Sequence, residues 1–302
     1  MLERHFKLSL NSPLMRAIVM TLPEFDNLKA FDVSIENNIA HLKLKRADQF
    51  NSMNSDFWEE LPRIVKAIDH ASAARVIVIS STGKHFTAGM DLDVFAHLGQ
   101  RFELEPARCA EALRRWIIQL QDIINVLEQC RMPVLSAVQG GCIGGGIDMI
   151  AATDCRYCTA DSFFVVKETQ LGILADLGTL QRLPKLIPEG LARELVYTSR
   201  KMLADEALSA GFVNAVYPDQ DSLLAGVMAV AKSIAANSPL VVAGSKEMLT
   251  YGRNHGVDEG LNYTATWQGG MFRMADLAEA MSASQERRDG DYASLESLDF
   301  KM

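Results

Sequence analysis

The chain has 302 residues, 48% of them apolar and 23% charged, with a formal net charge of −8. That length can bury one large core, and an acidic balance without a lysine- or arginine-rich block argues against nucleic acid or an anionic membrane as partner. Five cysteines (Cys109, Cys130, Cys142, Cys155, Cys158) make an odd set in a large chain, which points to a reducing compartment, the cytoplasm, with an organellar matrix left open.

The N-terminal stretch MLERHFKLSLNSPLMRAIVM is mildly basic and amphipathic. It lacks a long apolar core with a small-residue cleavage site, so it does not read as a secretory signal, and Glu3 and the modest arginine count argue against a transit peptide. No apolar run approaches the roughly 18 residues a membrane span needs. The C-terminal LDFKM is not the S-K-L peroxisomal address.

Residues 1–29 read as an extension. FDVSIENNIAHLKLKR then alternates apolar and polar residues on either side of Asn37-Asn38, which predicts a β-hairpin. SDFWEELPRIVKAI has apolar residues at helical spacing and predicts a helix opening at Ser55; RVIVIS predicts a buried strand; STGKHFTAGMDLD predicts a loop. A long amphipathic helix is expected over 106–130, a strand at VLSAV, a short helix at GGIDMIAAT, and strands at CRYCTA and FFVVKE. Beyond residue 177 helices dominate, with one strand-like segment at FVNAVY, and NSPL at 237–240 starts a C-terminal helical region. Strands alternating with helices before a helical tail imply an α/β core, with divisions at 1–29, 30–237 and 238–302.

GGCIGGGID, residues 140–148, is the densest glycine run. It lacks the G-x-G-x-x-G register of a dinucleotide fold, and no G-x-x-x-x-G-K-[ST] occurs anywhere. A strand that ends in glycines and begins a helix presents unpaired backbone N–H groups, the donors that stabilise charge developing on a carbonyl oxygen. FTAGMD at 86–91 also follows a strand and offers a second donor. Two plain strand-to-helix turns would look the same. Asp148, Glu168 and Asp176 are acids in otherwise apolar stretches, and a carboxylate in an apolar pocket has a raised pKa suited to proton transfer. Solvated loop acids are the alternative, and spacing alone does not bring the three together. CRYC at 155–158 matches C-x-x-C, but no second such pair follows and it lies in strand-like sequence, so two core thiols are expected rather than a metal site.

HFTAGMDL, PVLSAVQGGCIGGGIDMIAATDCRYCTADSFFVVKE and LGTLQRLPKLI together resemble the crotonase, or enoyl-CoA hydratase/isomerase, superfamily over about residues 31–290. Within it, Asp148, Glu168 and above all Asp176 make the sequence most similar to Δ3,5-Δ2,4-dienoyl-CoA isomerases; an ordinary hydratase has glutamates at the first two positions and glycine at the third. The resemblance implies a spiral of ββα units with C-terminal helices used in trimer assembly, and two trimers stacking as a hexamer. It implies an oxyanion hole from the N–H groups of Met90 and Gly145. A CoA groove would run along Thr87, Ala88, Gly89, Met90 and Asp91, with Ser52 and Met53 of the FNSM segment lining it beside Gly145. No metal and no cofactor are expected, since CoA belongs to the substrate.

In the expected reaction Glu168 removes the C2 proton of a 3,5-dienoyl-CoA and Asp176 delivers a proton at C6, with Asp148 setting the local field. The rival is a 2-enoyl-CoA hydratase using Asp148 and Glu168. A non-catalytic acyl-CoA binder is disfavoured by the three acids and both loops, and an RNA binder by the acidic balance. A serine hydrolase is weaker still: Ser136 has no G-x-S-x-G elbow, and His85 is expected to pack beside the CoA loop.

Overall fold

Asn37 and Asn38 hold left-handed φ angles of 52° and 63°, the backbone that a two-residue hairpin turn requires and asparagine tolerates. They join β1 (Phe31–Glu36) to β2 (Ile39–Leu44) in antiparallel register. In this computed structural model, which describes residues 22–94 and 105–298, four more strands then add in parallel. These are β3 (Val76–Ser81), β4 (Val134–Val138), β6 (Cys155–Thr159) and β9 (Ala215–Tyr217), giving the order β1-β2-β3-β4-β6-β9. A second sheet contains β5 (Gly141–Ile143) parallel to β7 (Phe163–Val165), which pairs antiparallel with β8 (Met202–Leu203). Residues 1–21 of the expected extension and 299–302 of the C-terminal pentapeptide lie outside the described residues.

Parallel neighbours need crossovers. α1 (Ser55–His70) links β2 to β3, α2 (Pro106–Gln129) precedes β4, and α3 (Gly145–Ala151) links β5 to β6. α4 (Thr179–Leu186), α5 (Glu189–Thr198) and α6 (Ala204–Ser209) follow β7, then α7 (Gln220–Ala235), α8 (Pro239–Gly252), α9 (Val257–Met271) and α10 (Met274–Glu286) close the chain. The first helix opens at Ser55 as expected, capped by Asn54, whose side chain accepts the Phe57 N–H at 3.1 Å. Before β1, Leu28 is buried, and the Lys29 and Ala30 N–H groups both donate to the Glu60 carboxylate on α1 (2.7 and 2.9 Å).

Both faces of the large sheet are covered, which is why β3 reads as a continuous apolar run. Val76 and Val78 join Leu135, Ala137 and the α7 residues Leu223, Val227 and Ala231 in one core. Ile77 and Ile79 face the other way, into the main core with Leu61, Ile64 and Ile68 of α1 and Ile124 and Leu127 of α2. This period-two split divides the sheet between two cores.

The ends of the large-sheet strands pass into the second layer. Met53 bridges Met90 in parallel, Thr87 bridges Cys142 in parallel, and β5 pairs with β7. Successive turns of chain therefore add one strand to the large sheet and one segment to the small layer, which is the ββα spiral the sequence implies. The two strands expected at CRYCTA and FFVVKE are β6 and β7, and the turn at residues 160–162 between them carries the chain from one sheet to the other. Cys155 and Cys158, three apart on β6, face opposite sides of the sheet, and burial pushes the Cys158 thiol up to about 12.

Candidate active site

The glycine run owes its composition to close backbone approach. Gly140 has φ 57°, and a Cβ there would stand 2.1 Å from the Lys84 carbonyl oxygen; Gly89 has φ 87°, and a Cβ there would stand 2.6 Å from the Ile143 oxygen. Only residues without a Cβ let these loops lie against each other. The Met53 N–H donates to the Gly89 oxygen (2.8 Å) and the Met53 oxygen accepts from Asp91 N–H (3.1 Å). In a parallel bridge of that pattern the intervening residue, Met90, turns its N–H to the opposite side. Gly145 lies there: a Cβ built on it would be 3.8 Å from the Met90 nitrogen. No hydrogen bond to another described residue engages either N–H. Met90 and Gly145 thus form a two-donor pair at the start of α3.

The surrounding ribbon is braced from the FNSM segment. Thr87 Oγ1 donates to the Asn51 oxygen (2.7 Å) and accepts the Gly89 N–H (3.1 Å), while Ala88 N–H donates to the Phe50 oxygen (2.9 Å). Ser52 Oγ donates to Asp91 Oδ2 at 2.7 Å, which with the Asp93 N–H holds the Asp91 carboxyl below its ordinary range; Arg46 lies 3.7 Å from the same oxygen. Ser52, Met53, Thr87, Ala88, Gly89, Met90 and Asp91 therefore lie in one hydrogen-bonded ribbon, with Gly145 packed against it. His85 Nδ1 accepts the Gly141 N–H (2.9 Å), and its ring packs between Phe50 and Phe163. Burial and Lys84 depress its pKa, so it stands as a neutral acceptor that fixes the entry to β5. Ser136 is fully buried on β4, with its hydroxyl against Thr153.

The three acids converge here. Asp148, in the first turn of α3, is 1% exposed, and its Oδ1 accepts both the N–H (2.7 Å) and the hydroxyl (2.6 Å) of Thr179. Burial pushes it up to about 6 against those bonds, with Asp176's charge adding to the rise. Glu168 opens a 3₁₀ turn directly after β7. Its Oε2 is buried with no hydrogen-bond partner, and its Oε1 lies 3.1 Å from where a Cβ on Gly144 would be. Burial first, then the charges of Asp148 and Asp176, push Glu168 up to about 7. A buried carboxylate oxygen without a donor is costly, and its pKa near neutrality suits it to take or give a proton. Asp176 is half-buried, and burial raises its pKa as well.

Two neighbours escaped the sequence reading. Thr179, the first residue of α4, holds Asp148; Gln121 of α2 donates to the main-chain oxygen of Asp176 at 2.6 Å. Thr179 follows Gly178 at a helix start, which marks a turn but not its partner; Gln121 left no local signal. Among the described residues no group of three or more His, Cys, Asp or Glu side chains is arranged to hold a metal ion.

The profile of the enoyl-CoA hydratase/isomerase family matches residues 34–294. The chain is 44% identical over 258 residues to the mitochondrial Delta(3,5)-Delta(2,4)-dienoyl-CoA isomerase of Mus musculus, covering 85% of this chain and 79% of that protein. It is 38% identical over 278 residues to the peroxisomal Delta(3,5)-Delta(2,4)-dienoyl-CoA isomerase of Arabidopsis thaliana, covering 91% of this chain and 100% of the relative. Among solved structures it is similar to an enoyl-CoA hydratase from Bacillus anthracis, with a TM-score of 0.78, 29% identity, and coverage of 88% of this chain and 100% of that one.

Proposed function

The chain belongs to the enoyl-CoA hydratase/isomerase family, and from that premise we propose that it shifts the double bonds of a 3,5-dienoyl-CoA to give the 2,4-dienoyl-CoA. The observation that carries this reading is Asp176, a raised-pKa acid beside Glu168 and Asp148. The similarity to dienoyl-CoA isomerases from mouse and plant supports it.

The thioester oxygen accepts from the N–H groups of Met90 and Gly145, which makes the C2 proton acidic and stabilises the enolate that follows. Glu168, whose Oε2 carries no competing donor, takes the C2 proton; the electron pair of that C–H bond spreads through the conjugated chain to the thioester oxygen. Asp176, protonated, delivers its proton to C6, and the pair returns to form the C2–C3 and C4–C5 double bonds. One proton leaves and one enters, so no cofactor is required; CoA is the handle of the substrate, held along Ser52, Met53 and the Thr87–Asp91 ribbon. Asp148, fixed by Thr179, places negative charge beside Glu168 and so raises the proton affinity of the base.

The rival is addition of water to a 2-enoyl-CoA by Asp148 and Glu168, a reading that the similarity to an enoyl-CoA hydratase keeps alive. Hydration needs both acids on one water, whereas the Asp148 Oδ1 is already engaged by two donors from Thr179. Ultraviolet absorbance with 3,5-octadienoyl-CoA and, separately, a 2-enoyl-CoA distinguishes them. The proposal expects rapid formation of the 2,4-diene and its loss in Asp176→Gly; isomerisation at the wild-type rate in that variant would rule out the relay.

The assembly we propose is a homotrimer, or a hexamer of two trimers. α9 buries none of its residues within the subunit, yet it presents Val257 and Leu261, and Leu249, Met274 and Met281 on the adjoining helices are also exposed. Sedimentation velocity tests this. The setting we propose is a reducing compartment, the cytoplasm or an organellar matrix; the unbridged thiols of Cys130, Cys142, Cys155 and Cys158 support the first, and the similarity to mitochondrial and peroxisomal isomerases supports the second.

A further inference from the structure

The segment that carries Asp176 has few attachments. Gly172 and Gly178, at φ 73° and 127°, bound it at either end. Within it Leu174 is exposed, while Ala175 and Leu177 are buried and anchor it by packing. Over residues 174–177, the Gln121 amide on the Asp176 carbonyl, at 2.6 Å, is the one hydrogen bond to another element among the described residues. Gln121 is not isolated on its helix. With Asn125 and Glu128 it forms a stripe at i, i+4 and i+7, one face of α2. Asn125 Oδ1 and Glu128 Oε2 accept from Arg182 at 2.6 and 2.9 Å. This polar stripe therefore grips the 176–182 segment at two points: Gln121 at Asp176 and the Asn125–Glu128 pair at Arg182 on α4.

We infer that Gln121 is the positioning residue for the C6 proton donor: its amide fixes the backbone of Asp176, and hence the reach of its carboxyl, relative to Glu168, which is held separately. The assignment rests on the functional reading above. Its basis is the division of supports. Glu168 is held by the turn after β7, away from the segment that Gln121 grips; Asp148 is held by Thr179, which lies in that segment but on α4, where the Arg182 contacts give a second anchor. Misplacing a reacting group by an ångström costs up to about 100-fold in rate. Loss of the Gln121 bond is thus a lesion of one proton transfer and not of the other.

The test separates the two transfers in deuterium oxide. Solvent deuterium entering C2 of recovered 3,5-octadienoyl-CoA reports Glu168, and formation of the 2,4-diene reports delivery at C6. Gln121→Met keeps the length and packing of the side chain but removes the donor. It is expected to leave C2 exchange near the wild-type rate while diene formation falls by roughly 10- to 100-fold, so the exchange-to-product ratio rises by the same factor. Gln121→Asn, which draws the amide back by one methylene, is expected to shift the ratio in the same direction by less, and serves if the methionine variant does not fold. A parallel fall in both transfers, or an unchanged ratio in both variants, overturns the assignment. A wild-type protein that forms no 2,4-diene overturns the functional reading itself, and this assignment with it.

Discussion

The Glu168 carboxylate fills the space that a side chain on residue 144 would need: a Cβ on Gly144 would stand 3.1 Å from Oε1 and 3.9 Å from the carboxyl carbon. Gly144 also holds φ 54°, a backbone that other residues reach only under strain. Gly144→Ala therefore pushes on the proposed base as well as on the chain. The expected result is a stability loss of about 1–3 kcal/mol with a larger fractional loss of kcat, read by urea unfolding and by initial rates on the same preparation.

Gly145→Ala is the contrasting substitution. Position 145 is helical, and the nearest atoms to its new methyl are the Met53 Sδ at 3.2 Å and the Met90 nitrogen at 3.8 Å. The thioether can move aside; the methyl then lies between the two proposed oxyanion donors. The variant is expected to stay folded and lose roughly 10²–10³ in kcat, the scale of one lost oxyanion donor. Circular dichroism and single-turnover rates check this, and a near-wild-type rate would move the hole elsewhere.

The pH profile follows from Glu168 and Asp176. Glu168 takes a proton only as carboxylate, and burial with its two acidic neighbours raises it to about 7. The kcat/KM for the dienoyl substrate is expected to be bell-shaped, one limb set by Glu168 near 7 and the other by Asp176, which must keep the proton it delivers to C6. Stability runs opposite to the Glu168 limb. The unfolded chain releases this proton near the ordinary 4.5, the folded chain only near 7, so between them the folded state binds more protons and loses stability as pH rises. Glu168→Gln should remove that slope and be more stable at alkaline pH by a few kcal/mol, on the order set by about 1.4 kcal/mol per pKa unit. Urea unfolding at acid and alkaline pH measures both.

Thr179→Val deletes the 2.6 Å hydroxyl bond to Asp148 and keeps the backbone one. Both Thr179 bonds oppose the rise of Asp148, which burial already lifts to about 6. The variant should titrate Asp148 at higher pH, seen in its carboxyl carbon resonance, and unfold about 1–3 kcal/mol more easily.

Most of the scaffold was legible in local pattern. β4 begins and ends with VLSAV, and the Asn37-Asn38 turn, the α2 span and Pro239 as the start of α8 follow from periodicity and turn chemistry. β8 was not, because a two-residue strand with one side chain exposed carries no period. The resemblance picked out the acids, whereas their supports were hidden. Thr179 reaches Asp148 and Gln121 reaches Asp176 through tertiary approach, and a polar residue on an amphipathic helix looks like any solvated one until its partner is in place. The strands at CRYCTA and FFVVKE were legible too, but not that the turn between them moves the chain to a different sheet.

The bridges from Met53 to Met90 and from Thr87 to Cys142 have a consequence for how such a site can vary. The parts of the donor pair are far apart in sequence, but their lateral spacing is set by strand-to-strand hydrogen bonds at about 4.8 Å. Helices inserted between those segments can lengthen, shorten or change their outer faces without altering that spacing. The ladder insulates the proposed chemistry from the connections, so the outer faces of the helices can be remodelled while the proposed thioester grip keeps its dimensions.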